Sequence, residues 1–423
     1  MTNIFMIDIK FIRENPTMVQ EAAKNKGIEI NITHVLEIDA KYRELSQAVQ
    51  KLREQRNAHT AQIKGKPTEE QLEKGRKFKE ELEKQEHACS AVGEELQDYL
   101  YKVPNIPKDD VKVGKDESEN EVIKTYGEPT VFSFTPKDHL ELGEALDIID
   151  VKRAAKVSGA RFDYLKNEGV LLEYALLQLA QDVLLKEGFI PIIPPVLIKT
   201  DVMAGLGYME NGGDEDMFHI PKDNLTLIGT AEHALVPMYK DEIIQKQDLP
   251  KRYMAYSPAF RRESGSYGKD TKGILRVHQF NKVEMVSFVT QEDDDREHEY
   301  LLSLEEKFFQ LLNIPYQVIK MCTGDLGFPA ARKYDIEAWM PSQNKYREVT
   351  SVSTVTDFQS RRLNMKYQDG GEKKYLHVLN GTAFSMNRPI IAILENYQQE
   401  NGSILIPEVL QKYIGKTHIT PKQ

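Results

Sequence analysis

Two arginines of this chain stand in surroundings that suit a phosphate group. Arg388 follows a segment of mainly small residues at 380–387 and precedes an apolar, helix-like run. Arg261 lies two residues before Glu263, where a polar, glycine-bearing segment begins. A guanidinium can donate two parallel hydrogen bonds to a phosphate, and small residues let a backbone approach a ligand closely. Each signal alone is more often ordinary structure, but the two together indicate a site for a phosphorylated ligand.

The segment that carries Arg261 is predicted to be an antiparallel hairpin. Strand-like residues stand on both sides of a long polar loop at 264–273. Side chains two apart on a strand point to the same face, so Arg261 and Glu263 could hold a phosphate and a base amine together. A surface ion pair is the alternative interpretation of the same spacing.

The two segments together resemble motifs 2 and 3 of the class II aminoacyl-tRNA synthetases, and in detail those of the bacterial-type seryl-tRNA synthetases. Five further segments are similar to the same family: 7–15, 103–107, 230–232, 322–328 and 347–359. The similarity runs from about Met6 to about Tyr413. It implies an α+β fold, with the class II synthetase-type antiparallel sheet flanked by helices and an N-terminal antiparallel helical coiled-coil arm.

The composition is typical of a large soluble globular protein. The chain has 423 residues, of which 40% are hydrophobic and 29% charged, and has room for two or three domains. No apolar run is long enough to span a bilayer. The two cysteines, Cys89 and Cys322, offer neither a disulfide framework nor metal-ligand spacing, so a cytoplasmic location is expected.

The chain is expected to have three parts: an N-terminal tRNA-binding domain with a long helical arm at 1–104, a linker at 105–136 and a class II catalytic domain at 137–423. In the first part, mainly apolar residues recur at alternating steps of four and three over 38–63 and again over 78–103. Such steps form the seam of a coiled coil. The turn between the two helices is predicted at 64–68, with Thr68 as the cap of the second helix.

The arm is more basic than the rest of the chain. Residues 41–81 contain eleven Lys or Arg and seven Asp or Glu, in a chain of net charge −10. A solvated helical face is the alternative interpretation, but the resemblance implies that the arm grips tRNA(Ser), with tRNA(Sec) as a second partner. The expected tRNA contacts are Lys51, Arg53, Arg56, Lys64, Lys66, Arg76, Lys77 and Lys79.

The resemblance also assigns the nucleotide site. It implies that Arg261 holds the α-phosphate of ATP, Glu263 the adenine amine and Arg388 the γ-phosphate, and these three are the expected catalytic residues. Mg²⁺ is the implied cofactor, with Glu348 and Ser351 as its ligands. The implied ATP contacts are Arg261, Arg262, Glu263, Val277, Phe280, Glu348, Val349, Thr350, Ser351 and Arg388.

The implied amino-acid substrate is L-serine. A buried polar pocket could satisfy its ammonium and hydroxyl groups and reject alanine, which would leave acceptors unpaired. The expected serine contacts are Thr230, Ala231, Glu232, Glu284, Asn380 and Thr382. Asn387 departs from the family, which usually has glycine there; if the position needs positive φ, asparagine is one of the least costly replacements.

The segment 189–196 resembles motif 1, the dimer element of class II enzymes, with Pro195 at its proline position, so a homodimer is expected. Three alternatives remain open from the sequence. A threonine or proline synthetase would carry an anticodon-binding domain after motif 3, where only 35 residues follow Arg388. A non-catalytic or altered-specificity relative could have kept the fold and the tRNA-binding role. A coiled-coil scaffold would not need Arg261, Glu263 and Arg388 in this order.

Overall fold

The computed structural model describes residues 8–210, 212–264 and 272–421. These residues divide into two compact units that meet in sequence between Pro104 and Asn105. Residues 265–271, most of the loop predicted at 264–273, lie outside the described residues.

The N-terminal unit is helical. Its helices are α1 (Ile9–Glu14), α2 (Pro16–Asn25), α3 (Ile32–Gln62) and α4 (Glu69–Tyr101). The rings of His59 and Phe78 are 5.8 Å apart, and Arg53 contacts Glu86 at 2.7 Å, so residues early in α4 meet residues late in α3. The two long helices therefore run antiparallel, and the predicted coiled-coil arm is confirmed.

The turn of the arm ends in a capping box at Thr68. The Thr68 hydroxyl accepts a hydrogen bond from the Gln71 backbone N–H at 3.3 Å, and the Gln71 side chain accepts one from the Thr68 N–H at 3.0 Å. Two of the N–H groups that a helix start leaves unpaired are thus satisfied.

The C-terminal unit is a mixed α and β structure. Its strands and helices, in chain order, are β1 (Glu121–Tyr126), α5 (His139–Ala145), α6 (Val151–Ser158), α7 (Glu168–Lys186), β2 (Ile190–Ile192), β3 (Leu197–Lys199), α8 (Thr200–Leu206), β4 (His219–Ile220), β5 (Leu225–Leu227), α9 (Glu232–Leu235), β6 (Ile243–Gln245), β7 (Lys251–Phe260), β8 (Gln279–Val289), α10 (Asp294–Leu311), β9 (Tyr316–Lys320), β10 (Arg332–Met340), β11 (Lys345–Thr356), α11 (Phe358–Arg362), β12 (Lys366–Asp369), β13 (Glu372–Tyr375), β14 (His377–Ser385), α12 (Asn387–Asn396), β15 (Ile404–Leu405), α13 (Glu408–Ile414) and β16 (His418–Ile419).

Eight of these strands form the central sheet, in the order β1-β9-β10-β11-β14-β8-β7-β2. Neighbouring strands are antiparallel except for β2, which lies parallel to β7 at one edge. At the other edge, β1 pairs with β9. The segment expected to be a linker, 105–136, therefore supplies an edge strand and belongs to the C-terminal unit. The antiparallel sheet with flanking helices confirms the expected fold class.

The sheet separates two apolar cores because strand side chains alternate between its faces. Met285 and Leu379 share one core with residues of α7, α10 and α12. Their neighbours Val286 and Val378 share the other core with residues of α8 and α9. We call the first side the α10 face and the second side the α9 face. Among the described residues, no helix is long and apolar enough to cross a membrane.

The capping box leads to a prediction about the arm. Thr68→Ala removes the side-chain acceptor and is expected to lower the stability of the first turn of α4 by about 1 kcal/mol. Amide hydrogen exchange at Gln71 measures this local opening. Thr60→Ala is the control, because the Thr60 hydroxyl only donates to the Arg56 carbonyl within α3 and caps nothing. Equal exchange at Gln71 in wild type and Thr68→Ala would contradict the role of the cap.

Candidate active site

A bulge in β11 brings two predicted metal ligands to one face of the sheet. The pairing with β10 passes from Glu348 to Thr350 and skips Val349. The extra residue shifts the alternation of side chains. Glu348 and Ser351 are three residues apart and would otherwise point to opposite faces, but they share the α9 face with Asp335, the cross-strand partner of Ser351.

A second bulge, at Ala383 of β14, extends this arrangement across the sheet. On β8, Glu284 pairs with Thr382 and Lys282 pairs with Ser385. Cross-strand partners present their side chains to the same face. The ladder between β14 and β11 continues that face from the β8 residues to the β11 residues.

Arg261 lies directly after the end of β7. Its guanidinium is 5.6 Å from the centre of the Phe280 ring, and its Nε donates to the Gly229 carbonyl at 3.1 Å. The structure therefore places together two of the residues expected to contact ATP. The guanidinium has five N–H donors, so anchoring through Nε leaves both terminal nitrogens to contact an anion.

Glu263 is held by its backbone conformation and by an arginine. Because β7 ends at Phe260, the strand alternation that we used to place Glu263 does not apply, and that reasoning was wrong. Glu263 instead has a φ of 56°, in the left-handed region. Its Oε2 accepts a hydrogen bond from Nη1 of Arg276 at 3.0 Å, which fixes the direction of the carboxylate.

Arg388 lies in the first turn of α12 and contacts β11. Its Nη1 donates to the backbone carbonyl of Glu348 at 3.0 Å and is 3.1 Å from the Glu348 carboxylate. Burial raises the pKa of Glu348, but the charges of Arg388 and Lys333 outweigh burial and lower this pKa below its usual value. Glu348 is therefore ionised and holds the guanidinium at the edge of the α9 face.

Asn387 does not need the left-handed backbone considered from the sequence, because it is the first residue of α12. Its Nδ2 donates to the Ile274 carbonyl at 3.2 Å and to Asp163 at 3.4 Å. The side chain thus ties the start of α12 to the segment before β8. A glycine would lack both hydrogen bonds.

The side chains of two expected ATP contacts, Thr350 and Arg262, are engaged by other groups of the protein. Thr350 lies on the α10 face, where its hydroxyl bonds the Glu305 carboxylate. Arg262 donates from Nε to the Met217 carbonyl at 2.7 Å, and its guanidinium lies over the Phe218 ring. The bulge explains why the Thr350 side chain points to the α10 face. The contacts with Met217 and Phe218 hold the Arg262 side chain in its place.

Three other expected contacts, Val277, Val349 and Ala231, are apolar and buried. Val349 packs in the core on the α10 face and Ala231 in the core on the α9 face. These side chains offer no polar group to a ligand. Any contact with a ligand would come from their backbone N–H and carbonyl groups.

Glu284 and Lys282 form a buried ion pair on β8. The Lys282 ammonium also donates to the Thr230 hydroxyl at 3.3 Å. Burial raises the pKa of Glu284 to about 7, although the Lys282 charge acts to lower it. With Thr382 opposite Glu284, these groups form a polar cluster on the α9 face, which we call the polar pocket.

Glu232, at the start of α9, is buried and held by two donors. Its Oε1 accepts from the Tyr208 hydroxyl at 2.8 Å and from the Gln359 amide at 3.0 Å. Burial raises the pKa of Glu232. On β14, the buried amide nitrogen of Asn380 has no hydrogen-bond partner in the described part of the chain. A buried donor of this kind suits an acceptor on a ligand.

The sequence analysis missed four residues of the site: Lys282, Arg276, Tyr208 and Gln359. Lys282 could have been found from the period of a strand, because it lies two residues before Glu284. Gln359 stands in the segment 347–359 that resembles the family, without an assigned role. Arg276 and Tyr208 reach their partners through loop geometry, which no spacing in the sequence indicates.

The basic residues of the arm are partly neutralised. Arg53 pairs with Glu86, and three others pair along α4 with acids one turn away. These pairs are Arg76 with Glu80 at 3.6 Å, Lys77 with Glu73 at 3.0 Å and Lys79 with Glu83 at 3.8 Å. All are exposed, and exposed pairs are weak enough for a phosphate to displace the acid.

Comparison with known proteins agrees with this geometry. Residues 217–397 match the tRNA synthetase class II core domain (G, H, P, S and T), and residues 6–107 match the seryl-tRNA synthetase N-terminal domain. The first match covers β4 to α12, the part of the chain that carries the candidate site. This protein is therefore a class II aminoacyl-tRNA synthetase by its fold and its site.

Similarity to individual proteins extends over nearly the whole chain. A serine--tRNA ligase of Dictyoglomus thermophilum is 46% identical over 425 residues, covering 99% of this chain and 100% of that protein. The crystal structure of seryl-tRNA synthetase from Pyrococcus horikoshii complexed with ATP has a TM-score of 0.93 and 41% identity, covering 99% and 100% of the two chains. The cytoplasmic serine-tRNA ligase of Naegleria fowleri in complex with AMP has a TM-score of 0.89 and 29% identity, covering 99% and 100%. This chain belongs to the seryl-tRNA synthetase family.

The buried ion pair on β8 predicts a pH-dependent effect of Lys282→Met. At about pH 5 Glu284 is protonated, so the loss of the ammonium is expected to change the free energy of unfolding by less than about 1 kcal/mol. At about pH 8.5 wild-type Glu284 is ionised, and removing its partner is expected to cost roughly 3 kcal/mol. Urea unfolding at both pH values measures the difference.

The sign follows from the direction of the pKa shift. A carboxyl whose folded pKa is raised contributes stability that is present below the unfolded value of 4.5 and is lost as the pH rises through about 7. Lys282→Met raises the folded pKa of Glu284 further and extends this loss to higher pH. Lys124→Met, which removes an exposed partner of Glu306, is the control. A cost that is equal at both pH values would contradict the coupling.

Proposed function

We propose that this protein is a serine–tRNA ligase, which activates L-serine with ATP to seryl-adenylate and transfers the seryl group to the 3′ end of tRNA(Ser). The observation that carries this proposal is that groups able to bind anions and groups able to bind cations lie together at the α9 face of the sheet. Arg261 and Arg388 offer guanidinium groups to phosphates, and the acids Glu232 and Glu284 can receive an ammonium group. The relatives of this chain are serine–tRNA ligases over their full length, and the Pyrococcus protein binds ATP.

In the first step, a carboxylate oxygen of serine attacks the α-phosphorus of ATP. A new phosphorus–oxygen bond forms, the bond to the bridging oxygen breaks, and pyrophosphate leaves with the electron pair. No protein nucleophile is needed because the amino acid supplies it. The protein must hold two anions together and stabilise the charge that develops, which is a matter of positioning and electrostatics.

The nucleotide end of the face suits the first substrate. Arg261 is assigned to the α-phosphate, since its guanidinium is already fixed over Phe280. The Phe280 ring is assigned to stack on the adenine, and the Glu263 carboxylate to accept a hydrogen bond from the adenine amine. Arg388 is assigned to the γ-phosphate, which would share the guanidinium with Glu348.

The resemblance also implies Mg²⁺, and the donors present fit this ion. The Glu348 carboxylate and the Ser351 hydroxyl share one face, and Mg²⁺ prefers oxygen ligands. Among the described residues, no group of three or more His, Cys, Asp or Glu could hold a metal ion. We therefore assign Glu348 and Ser351 to an ion that also needs the phosphates of ATP. When bound, Mg²⁺ would neutralise phosphate charge.

The polar pocket next to the nucleotide end suits serine. Glu232 and Glu284 are assigned to the ammonium and hydroxyl groups, with the hydroxyls of Thr230 and Thr382 beside them. Asn380 offers a buried N–H donor to the substrate carboxylate. Alanine would leave the acceptors of this pocket unpaired, and such a loss costs about 1–3 kcal/mol for each group.

In the second step, a ribose hydroxyl at the 3′ end of the tRNA attacks the carbonyl carbon of seryl-adenylate. An ester bond forms, the bond from that carbon to the phosphate oxygen breaks, AMP leaves and the hydroxyl proton is released. The arm is assigned to hold the tRNA through phosphate contacts, in which Lys51, Lys64 and Lys66 near the turn would take part. We propose tRNA(Sec) as a second substrate on the resemblance alone.

We also propose a cytoplasmic homodimer. The helix α7 and the motif 1 segment at 189–196, which contains β2, expose apolar side chains that a second copy would cover. Tyr174 is 54% exposed, Ile190 52% and Ile193 92%. The free cysteines, Cys89 and Cys322, are consistent with a reducing compartment.

The proposed function predicts a serine-dependent exchange reaction. With ATP, Mg²⁺ and L-serine, the purified protein is expected to incorporate labelled pyrophosphate into ATP, because adenylate formation is reversible. The assay is repeated with every other proteinogenic amino acid. Exchange with a different amino acid alone would overturn the substrate assignment. Exchange with none of them would favour a tRNA-binding relative without catalytic activity.

Three arginine variants test the nucleotide assignments within the same assay. Arg261→Ala and Arg388→Ala are each expected to lower the exchange rate about 100-fold or more, the usual effect of removing a group that stabilises developing charge. Arg262→Ala is the matched control, because its guanidinium is engaged by Met217 and Phe218 and is expected to contribute far less. A similar loss in all three variants would contradict the separate role of Arg261 and Arg388.

The arm predicts a separation of the two steps. Replacing residues 41–96 by a short Gly/Ser linker is expected to leave serine-dependent exchange unchanged and to abolish charging of tRNA(Ser) and tRNA(Sec) transcripts. The reason is that adenylate formation uses residues of the C-terminal unit, whereas the basic arm belongs to the N-terminal unit. Loss of both reactions to the same extent would show that the arm does more than bind tRNA.

A further inference from the structure

The helix α10 places a fully buried carboxyl group, Glu305, directly behind the proposed serine pocket. Its Oε1 accepts a hydrogen bond from the Thr382 backbone N–H at 2.8 Å, and its other oxygen bonds the Thr350 hydroxyl. Thr382 belongs to β14 and Thr350 to β11. One carboxyl group therefore bridges two strands of the site without reaching the α9 face.

The bridge lies where the two strands separate. The ladder between β11 and β14 pairs Val352 with Gly381 at its end nearest the site. Thr382 follows this pair in β14, and its backbone N–H has the Glu305 carboxyl as its acceptor. A buried backbone N–H without an acceptor is costly, so Glu305 does for Thr382 what a continued ladder would do.

The neighbouring glycine gives the carboxyl its space. A Cβ atom at Gly381 would lie 2.9 Å from Oε1 of Glu305 and close to Met285 and Val352. No side chain fits at this position while the carboxyl keeps its place. Gly381 and Glu305 are therefore complementary parts of one arrangement behind the pocket.

The charges that face Glu305 are acidic, and they favour its neutral form. Burial raises the pKa of Glu305 well above its usual value, although the hydrogen bonds from Thr350 and Thr382 act to lower it, and the carboxylates of Glu284 on β8 and Asp335 on β10 raise it further. The carboxyl group accepts from the Thr382 N–H with one oxygen and from the Thr350 hydroxyl with the other.

We propose that Glu305 is a positioning residue for serine, which fixes the Thr382 backbone from behind the sheet by acting as a hydrogen-bonding bridge between β14 and β11. The inference rests on the proposed function, because it assigns Thr382 to the serine pocket. Glu305 does not touch the substrate in this proposal. Its effect reaches the pocket only through the backbone of β14.

Glu305→Ala and Glu305→Gln test the proposal together. Alanine removes the bridge and is expected to raise the KM for serine about tenfold, the loss typical of one buried hydrogen bond, while the KM for ATP changes little. Glutamine keeps an acceptor oxygen and an N–H donor in the same shape, so it is expected to restore the wild-type KM. Both constants are measured by pyrophosphate exchange, alongside thermal unfolding of each variant.

Glu306→Ala is the matched control. The Glu306 carboxyl, the next residue of α10, bonds the Tyr316 hydroxyl at 2.9 Å and pairs with Lys124. This variant is expected to lower the unfolding temperature without changing the KM for serine. The proposal is overturned if Glu305→Ala behaves like Glu306→Ala, or if Glu305→Gln is as impaired as Glu305→Ala.

Two further measurements keep the result independent of other outcomes. If Glu305→Ala does not fold, Glu305→Gln is compared with Thr350→Val. The bridge is supported if the KM for serine stays near wild type in Glu305→Gln and rises in Thr350→Val. The reverse result contradicts it.

If the wild type activates another amino acid, the proposed function fails but the KM for that amino acid is measured instead. An unchanged KM in Glu305→Ala would then overturn the bridge itself.

Discussion

A strand sends alternate side chains to opposite faces of its sheet, and this site exists because two strands break that alternation. Without the bulge at Val349, Glu348 and Ser351 could not point to the same face. Without the bulge at Ala383, Phe384 would pair with Lys282 and its side chain would leave the core on the α10 face. The ion pair between Glu348 and Arg388 depends on the first of these bulges, and so does any metal ion held by Glu348 and Ser351.

A second constraint is the cost of placing many charges in one buried site. The structure meets it by pairing acids with bases: Glu284 with Lys282, Glu348 with Arg388 and Glu263 with Arg276. Only the first of these pairs is buried, and there an unpaired charge would cost several kcal/mol. Under the proposed function, a phosphate bound at Arg388 would share the guanidinium with Glu348 or displace this carboxylate, and a cation at Glu348 would offset the loss.

These contacts also show how much the sequence could predict. The coiled-coil arm and the strands on either side of the long loop follow from local periodicity, and the Thr68 cap follows from its residue type. The structure contains all three features. The direction of Thr350 could not be predicted, because a bulge leaves no mark in the hydrophobic pattern. The partners of Arg262 come from a segment more than forty residues away in sequence. The edge strand within 105–136 could not be foreseen either, because its partner β9 lies almost two hundred residues further on.

The α10 face, opposite the candidate site, holds a series of directional contacts. Buried acids of α10 contact the sheet at successive strands, with Glu297 bonding Arg252 of β7 and Asp294 bonding Thr354 of β11. Glu305 adds β14 to this series through the Thr382 N–H. A helix with a purely apolar surface could slide along the sheet by small steps, whereas directional hydrogen bonds to several strands define one position. The polar groups behind the sheet therefore fix the position of α10 relative to the strands that carry the candidate site.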